Sequence, residues 1–463
     1  MDWKGKRVLI IGAARQGAAT ASYLVNQGAD VTLNDQLPSE ALEEVKQTLK
    51  DQRIRWALGG HPLSLLEGVD LVFPSGGVPL EMPLIVEAVN RGIQLSNDSQ
   101  IFLEEAPCKV IGITGSAGKT TTTTLVAEIA RAANIAHSHN GVGKIWMGGN
   151  IGTPLIERLD EMASEDIAVM ELSSFQLELM RRSPQVAVIL NVTPNHLDRH
   201  GTMEAYTAAK ARILDNQTDT DIAILGRDDE GALALRERVA GRLYTFGLKE
   251  LERDQLGTFV RSDWIWVRGE NGETEVMPVE NIQLLGEHNL QNVLAACAIS
   301  AAIDVPTNAM RTAVENFDGV EHRLEFVRRW GGVDWYNDSI ATAPERAIAA
   351  MKAFDAPLAL LAGGRDKSLP WEDFAAEVKE RVHHLIAFGE AADLVIDAVG
   401  QAGSGEKPYS ITRCDGLSQA VAAAAEVVEA EDVVLLSPGG TSYDEFIDFE
   451  ERGEKFKGWV RAL

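Results

Sequence analysis

The sequence predicts an α/β protein with three domains built on mostly parallel sheets. Short apolar runs that end in glycine or polar residues alternate with helix-compatible stretches over most of the 463 residues. A chain of this length corresponds to about three domains, and 45% hydrophobic residues is enough for sizeable cores. We expect the domains at residues 1–106, 107–319 and 320–463.

The charge balance and the cysteines exclude several classes of function. The chain has 43 Lys and Arg against 69 Asp and Glu, which gives a net charge of −26 that repels polyphosphate backbones. Nucleic acid is therefore not an expected partner. The cysteines at 108, 297 and 414 lie far apart without a C-x-x-C pair, so the pattern indicates neither a disulfide framework nor a zinc site.

The N-terminus and the hydropathy pattern indicate a cytoplasmic protein. The apolar run Val8 to Ile11 follows basic residues but is too short for the core of a signal peptide. No other run approaches the roughly 18 apolar residues that span a bilayer. We therefore expect no membrane partner, and a monomer is the simplest expectation.

The first elements are typical of a Rossmann-type domain. A strand from Arg7 to Ile11, a glycine turn and a helix lead to a second strand that ends at Asp35. Gly12 and Gly17 occupy the first and third positions of the dinucleotide fingerprint, but Ala14 occupies the second. An NAD site and a related fold that binds something other than a dinucleotide both remain open. Further on, a buried-looking strand ends in a loop that contains Gly77.

The stretch from Lys109 to Thr124, KVIGITGSAGKTTTTT, has the order strand, glycine loop, helix. Glycines let backbone N–H groups surround phosphate oxygens, and a helix N-terminus favours negative charge. Lys119 is placed to reach terminal phosphates, and the Thr120 hydroxyl is placed to bind Mg²⁺. The strict phosphate-loop spacing is missed because Ile113 stands at its first glycine position. The alternative is an ordinary glycine-rich turn, but the Gly-Lys-Thr sequence at the start of a helix argues against it.

Three further residues in this region could take part in phosphate chemistry. Glu171 follows the apolar run Ile167 to Met170, where phosphate-loop enzymes hold a metal-binding acid. His196 lies in a loop after another strand, and Lys210 lies in a helix predicted over residues 203–215. Taken singly, His196 is an ordinary loop histidine and Lys210 a solvated lysine. Beside a phosphate loop, the interpretation of His196 as a ligand gains weight.

The βα alternation resumes from Val333 and predicts a third α/β domain. Its predicted strands are Val333 to Tyr336, Leu358 to Ala362, His384 to Phe388 and Val433 to Leu436. They end in polar or glycine-rich loops, which contain Asp338, Lys367 and Ser442. Because the carboxyl ends of parallel strands share one edge of a sheet, we expect these loops to lie together.

The motifs taken together resemble the Mur ligase family, and they follow one another in consistent order from end to end of the chain. They are TGSAGKTT at 114–121, GNIG at 149–152, ELSSFQLE at 171–178, NVTPNHLDRH at 191–200, AAKARI at 208–213, GEHNLQN at 286–292, EHRLE at 321–325 and SPGGTSYDEFIDFEERGEKF at 437–456.

The resemblance implies a Rossmann-like N-terminal domain that binds a UDP-sugar and a central phosphate-loop domain that binds ATP. A C-terminal Rossmann-like domain would bind the amino acid and part of the nucleotide. The implied activity is that of an ATP-dependent amide ligase of peptidoglycan precursor synthesis. It would add glutamate to UDP-N-acetylmuramoyl-L-alanine through an acyl phosphate, with ATP and Mg²⁺.

The resemblance also implies roles for individual residues. Lys119, His196 and Lys210 would be catalytic. ATP would contact Gly115, Ser116, Ala117, Gly118, Lys119, Thr120, Thr121, Asn292, Arg323 and Asp338. Mg²⁺ would be held by Thr120 and Glu171, and a second Mg²⁺ by His196 and a carbamylated Lys210. The UDP-sugar would contact Asp35, Gly77 and Asn150, and glutamate would contact Thr342, Lys367, Ser442 and the backbone around Phe449.

The sequence departs from the family pattern at three positions. Ala117 stands where the phosphate loop usually has Asn, Ile340 where the third-domain signature has Lys, and Ala343 where that signature ends in Asn. The last two changes adjoin the expected amino-acid pocket. D-glutamate is the family default, and L-glutamate remains an alternative because a divergent branch of these ligases has the Ser-Ile-Ala-Thr-Ala-Pro-Glu form.

Three other functions compete with this interpretation. A folylpolyglutamate-synthetase-like ligase shares the architecture but lacks an N-terminal nucleotide-sugar module. The Rossmann-like first domain of this sequence, with Asp35, therefore argues against it. An NAD-dependent oxidoreductase is disfavoured by Ala14 and by the phosphate loop. A non-catalytic nucleotide-binding regulator is disfavoured by the joint presence of four residues, Lys119, Glu171, His196 and Lys210.

Overall fold

The computed structural model describes residues 2–50, 52–136, 143–284, 286–367, 369–400 and 407–463. The chain divides into two compact units, Met1–Ile282 with Glu287–Asn316, and Gln283–Gly286 with Phe317–Leu463. The first unit contains two sheets and the second contains one, in the described part of the chain. The three-domain α/β prediction is confirmed, and the domain boundaries after residues 106 and 319 stay predictions.

The first sheet is parallel and its strands, where described, have the order β3-β2-β1-β4-β5. Its three central strands are mostly buried, as is typical of a parallel sheet, whereas the two edge strands are partly exposed. The strands are β1 (Arg7–Ile11), β2 (Asp30–Asp35), β3 (Ile54–Leu58), β4 (Leu71–Pro74) and β5 (Gln94–Leu95), and the helices are α1 (Arg15–Asn26), α2 (Glu43–Thr48), α3 (Pro83–Asn90) and α4 (Asp98–Glu105).

The second sheet is larger and lies in the same unit. Its strands are β6 (Lys109–Thr114), β7 (Ile145–Gly149), β8 (Ile167–Glu171), β9 (Val186–Ile189), β10 (Ile222–Gly226), β11 (Arg242–Phe246), β12 (Leu256–Arg261), β13 (Trp264–Gly269) and β14 (Gly272–Pro278). Its helices are α5 (Lys119–Ala136), α6 (Ser174–Leu177), α7 (Leu197–His200), α8 (Met203–Ala211), α9 (Glu230–Leu233), α10 (Glu287–Ala302) and α11 (Thr307–Glu315).

The order of this sheet, β14-β13-β12-β11-β10-β9-β6-β8-β7, places β6 between β8 and β9. All three strands are parallel, with Ile113 in register with Glu171 on one side and Val188 on the other. The loops after β6, β8 and β9 therefore leave the same edge of the sheet side by side. The sheet ends in an antiparallel part, in which β12 pairs with β13 and β13 pairs with β14, and β12 continues the sheet by pairing in parallel with β11.

The sheet of the second unit has the strand order β15-β16-β20-β17-β18-β19 in the described residues, with β15 antiparallel at one edge. Its strands are β15 (Glu325–Trp330), β16 (Val333–Asn337), β17 (Leu358–Gly363), β18 (Val382–Phe388), β19 (Ser410–Cys414) and β20 (Val433–Gly439), and its helices are α12 (Pro344–Met351), α13 (Glu372–Arg381), α14 (Ala392–Val399), α15 (Leu417–Val427) and α16 (Phe449–Ala462).

Two elements differ in length from their predicted bounds. The helix expected over 203–215 ends at Ala211, after which residues 212–216 form turns with i→i+3 hydrogen bonds. Strand β20 runs three residues past Leu436 because it is central in its sheet and all of its residues are buried. Among the described helices, none has the length and apolar character needed to cross a membrane.

Candidate functional site

The phosphate loop connects β6 to α5. At some of its positions the backbone lies so close to neighbouring residues that a side chain would not fit. Gly118 has φ of +81°, and a Cβ built there would lie 2.2 Å from Oδ1 of Asn292. Glycine alone accommodates both the backbone conformation and the contact. Asn292, on α10, thus lies against the loop, as the prediction of a nucleotide-contacting residue at this position requires.

The loop after β9 holds the phosphate loop in place through Asn191. Its carbonyl accepts a hydrogen bond from Ser116 N at 3.0 Å, and its side-chain Oδ1 accepts one from Ala117 N at 2.9 Å. Ala117 therefore takes part in this contact through its backbone N–H, which does not depend on the side chain at this position. Asn191 had no predicted role. Its position in the loop after β9, which pairs with β6, could have indicated a contact with the phosphate loop.

Lys119 lies folded back over the phosphate loop. Its Nζ donates hydrogen bonds to the carbonyl oxygens of Gly115 at 2.8 Å and Ser116 at 3.2 Å. The ammonium is thereby held at the mouth of a loop whose N–H groups and helix N-terminus favour an anion. A phosphate oxygen can replace either carbonyl as the acceptor.

Glu171 ends β8 and is buried, with an exposed fraction of 2%. Thr120 Oγ1 donates to one carboxylate oxygen at 2.9 Å, and Asn150 Nδ2 donates to the other at 2.9 Å. The structure thus brings Thr120, Glu171 and Asn150 together. Carboxylate and hydroxyl oxygens are the ligands that Mg²⁺ prefers, so Thr120 and Glu171 fit a magnesium site beside the phosphate loop.

Lys210 is buried in α8, with an exposed fraction of 1%. Its Nζ donates to the Gly115 carbonyl at 2.9 Å and approaches Thr114 Oγ1 at 3.4 Å. The pKa of Lys210 is lowered to about 6, first by burial and then by the Lys119 ammonium, against an opposite effect of Glu171. The prediction of a solvated lysine at this position is wrong, and a neutral amine is the favoured form at pH 7.

His196 lies immediately before α7 with φ of +52°, a left-handed conformation that is uncommon for residues other than glycine. The side chain is exposed, and its ring centroid is 5.2 Å from that of Phe175. Phe175 follows Glu171 by four residues, in a helix whose start is fixed by a reciprocal capping box of Ser173 and Gln176. His196 therefore lies beside the segment that carries Glu171.

In the first domain, Asp35 stabilises the turn after β1. One carboxylate oxygen accepts a hydrogen bond from Ala13 N at 2.8 Å, and the other accepts one from Leu37 N at 2.9 Å. Each oxygen keeps a second lone pair for a ligand. Gly77 lies in the loop after β4, and a Cβ at this position would meet no atom within 4 Å.

In the second unit, Asp338 lies directly after β16 and is buried. Ser437 Oγ donates to its Oδ2 at 2.8 Å, and Leu324 N donates to its Oδ1 at 3.3 Å. Burial raises the pKa of Asp338 to about 7, although the hydrogen bond from Ser437 and the charge of Arg323 act in the opposite direction. The structure therefore places Arg323 and Asp338 in one neighbourhood, as the nucleotide prediction requires.

The residues expected to hold glutamate also lie on the loops of the second unit. Lys367 Nζ donates to Thr342 Oγ1 at 3.3 Å, and burial together with the charges of Arg346 and Arg452 lowers the pKa of Lys367. Ser442 is buried in the loop after β20. The carbonyl of Phe449, at the start of α16, accepts a hydrogen bond from Ser339 at 2.8 Å.

Three family models match consecutive parts of the chain. The Mur ligase MurD-like N-terminal domain matches residues 6–97, the Mur ligase middle domain matches 113–300, and the Mur ligase glutamate ligase domain matches 322–440. Among solved structures, the chain is similar to UDP-N-acetylmuramate-alanine ligase MurC from Thermotoga maritima, with 18% identity, 99% of each chain covered and a TM-score of 0.59. MurF from Acinetobacter baumannii gives 18% identity and a TM-score of 0.57 over 98% of this chain and 94% of that one.

Two relatives share much more of the sequence, and both are named UDP-N-acetylmuramoylalanine–D-glutamate ligase. The protein of Symbiobacterium thermophilum is 41% identical over 459 residues, which covers 99% of this chain and 98% of the relative. That of Koribacter versatilis is 39% identical over 465 residues, which covers 100% of this chain and 99% of the relative. With this identity along its full length, the chain belongs to the Mur ligase family.

Proposed function

We propose that the protein is an ATP-dependent ligase of peptidoglycan synthesis, which joins D-glutamate to UDP-N-acetylmuramoyl-L-alanine through an acyl phosphate. The observation that carries the chemistry is the group formed by Lys119, Thr120 and Glu171 around the phosphate loop. The names of the full-length relatives support the two substrates and the D configuration. Folylpolyglutamate synthesis and NAD-dependent oxidation have no such support.

The reaction needs ATP because a carboxylate is a poor electrophile. A carboxylate oxygen of the UDP-sugar substrate attacks the γ-phosphorus of ATP, and ADP leaves. The glutamate amine then attacks the acyl carbon of the resulting acyl phosphate. Inorganic phosphate departs with one of the original carboxylate oxygens, and the amine loses a proton as the amide forms. Lys119 stabilises the negative charge that develops on the transferred phosphoryl group.

The chain offers oxygen ligands for Mg²⁺ at the phosphate loop. Thr120 and Glu171 would hold one ion, and His196 with a carbamylated Lys210 would hold a second. When bound, Mg²⁺ neutralises part of the charge on the phosphate oxygens. The carbamate forms when the neutral Lys210 amine adds to CO₂ and releases a proton, and the lowered pKa of Lys210 favours that neutral amine.

The remaining contacts involve residues of all three proposed domains, at residues 1–106, 107–319 and 320–463. Asp35, Gly77 and Asn150 would contact the UDP-sugar. Asn292, Arg323 and Asp338 would contact ATP. Thr342, Lys367, Ser442 and the backbone of Phe449 would contact glutamate, and the Lys367–Thr342 hydrogen bond supports a joint site for a carboxylate.

A strong preference for D-glutamate is expected in assays of phosphate release with ATP, Mg²⁺ and UDP-N-acetylmuramoyl-L-alanine. When both carboxylates are anchored, inversion at the α-carbon moves the amine away from the acyl phosphate, and a displacement of about 1 Å costs about 10²-fold in rate. Folate in place of the UDP-sugar serves as the control acceptor and should release no phosphate. Equal rates with both enantiomers would remove the stereospecific pocket, and a preference for L-glutamate would contradict the proposed substrate.

A further inference from the structure

Arg199 connects the two domains of the first unit. From the short helix α7, its guanidinium donates hydrogen bonds to the carbonyl oxygens of Gly77 at 3.3 Å and Val78 at 2.9 Å. Both carbonyls belong to the loop after β4 in the N-terminal domain. A single side chain of the central domain thus restrains the backbone of the loop that the proposed function assigns to the UDP-sugar.

The guanidinium of Arg199 also contacts the first of a continuous series of aromatic side chains. Its Cζ lies 4.4 Å from the ring centroid of Phe175. The Phe175 ring is stacked on His200, with centroids 5.2 Å apart and planes within 3° of parallel. His200 in turn lies 5.1 Å from Tyr206 in a tilted arrangement. We call Phe175, His200 and Tyr206 the aromatic column.

The far end of the aromatic column touches the phosphate loop. The hydroxyl of Tyr206 shares a hydrogen bond of 3.0 Å with Ser116 Oγ, and Lys210 Nζ lies 4.6 Å from the Tyr206 ring centroid. Lys210 donates at the same time to the Gly115 carbonyl. The contacts therefore run without a break from Gly77, through Arg199 and the aromatic column, to the phosphate loop.

The middle of the aromatic column is fixed in one orientation. The His200 side chain has an exposed fraction of 2%, with Nδ1 3.0 Å from Glu178 Oε1 and Nε2 2.9 Å from Ser174 Oγ. Tyr206 is buried as well, with an exposed fraction of 1%. Because polar partners hold both nitrogens of the His200 ring and Tyr206 is buried beside it, a displacement of one close-packed side chain is transmitted to the next.

We propose that Arg199 is a positioning residue that couples binding of the UDP-sugar at the Gly77 loop to binding of ATP at the phosphate loop, with the aromatic column as the physical connection. This inference rests on the proposed function. Arginine suits the role because its planar guanidinium donates along its edge to two carbonyls while its face stacks on Phe175. Lysine would keep the charge, but its compact ammonium cannot donate to two carbonyls along a planar edge while a flat face stacks on Phe175.

The test measures coupling between the two ligands by calorimetry. UDP-N-acetylmuramoyl-L-alanine and a non-hydrolysable ATP analogue with Mg²⁺ are titrated singly and then together, with wild type and Arg199→Lys. In the wild type, the UDP-sugar should tighten binding of the analogue by at least about fivefold. In Arg199→Lys this factor should fall to about one, and the Kd of the UDP-sugar should rise about tenfold, as for loss of one charge-assisted hydrogen bond.

Two further variants separate coupling from folding. Arg311 also donates to a backbone carbonyl, that of Val276 at 2.7 Å, but it lies on α11, so Arg311→Lys should retain wild-type coupling. Phe175→Leu keeps an apolar side chain and removes the flat ring, and it should abolish coupling as Arg199→Lys does. Thermal unfolding at wild-type temperature, with unchanged affinity for the analogue alone, shows that the variants are folded.

The inference and the proposed function fail in different ways. Wild-type protein that releases phosphate only with both substrates, yet shows no coupling or the same coupling as Arg199→Lys, would overturn the inference alone. Wild-type protein that neither binds the UDP-sugar nor releases phosphate would overturn the proposed function and the inference with it.

Discussion

Replacing Lys119 by alanine is expected to lower the rate of ligation by about 10² to 10³ at saturating ATP. One preorganised donor to a charge that develops in the transition state is worth roughly 3 kcal/mol. The ammonium of Lys119 already lies over the loop, 2.8 Å from the Gly115 carbonyl, so the wild type needs little rearrangement to use it. The measurement is the initial rate of phosphate release with both substrates present.

The matched control is Lys109→Ala. Lys109 begins β6, the strand that Lys119 follows, and its side chain is exposed at the opposite end of that strand. Its loss should leave the rate unchanged. The hydrogen bonds that Lys119 donates to Gly115 and Ser116 are made to carbonyls of the phosphate loop and not to a core strand, so the fold should survive, which circular dichroism checks. Near-normal turnover of Lys119→Ala would contradict the assignment of the phosphate loop.

Lys210→Ala is expected to be inactive and to recover part of its activity when formate or acetate is added. The proposed role of Lys210 is to supply a carboxylate, as its carbamate, at a buried position beside the phosphate loop. Alanine leaves a space in which a small carboxylate can bind in place of the carbamate. The rate is measured as a function of carboxylate concentration.

Lys119→Ala serves as the control for this rescue, because a carboxylate cannot replace a cation. Formate should therefore leave the rate of Lys119→Ala unchanged. Full activity of Lys210→Ala without any added carboxylate would show that the carbamate is not needed. Equal stimulation of both variants would show that the carboxylate acts elsewhere.

Local sequence signals predicted the elements around the phosphate loop. An apolar run, glycines and a helix-compatible stretch specified β6, the loop and α5, and an apolar run ending in an acid placed Glu171 at the end of β8. The parallel order of β8, β6 and β9 then brings these loops to one edge. The strands, the loop and the helix themselves each depend on residues close together in the chain, so pattern and spacing suffice to predict them.

Contacts between distant segments could not be predicted in this way. Arg199 lies 122 residues from Gly77, and a lone arginine in a polar motif gives no sign of the carbonyls that it contacts. The low pKa of Lys210 arises from burial and from Lys119, neither of which composition reveals. The sequence also did not reveal how Ala117 takes part in the phosphate loop, because its contact with Asn191 is made by the backbone N–H.

Transfer of an oxygen label tests the acyl-phosphate mechanism most directly. UDP-N-acetylmuramoyl-L-alanine labelled with ¹⁸O in its alanine carboxylate is converted with ATP and D-glutamate in unlabelled water, and the released phosphate is analysed by mass spectrometry. Because phosphate departs with a carboxylate oxygen, we predict one ¹⁸O atom in each phosphate formed from fully labelled substrate. Released phosphate without label would mean that water cleaves ATP, and this result would contradict activation of the substrate by phosphorylation.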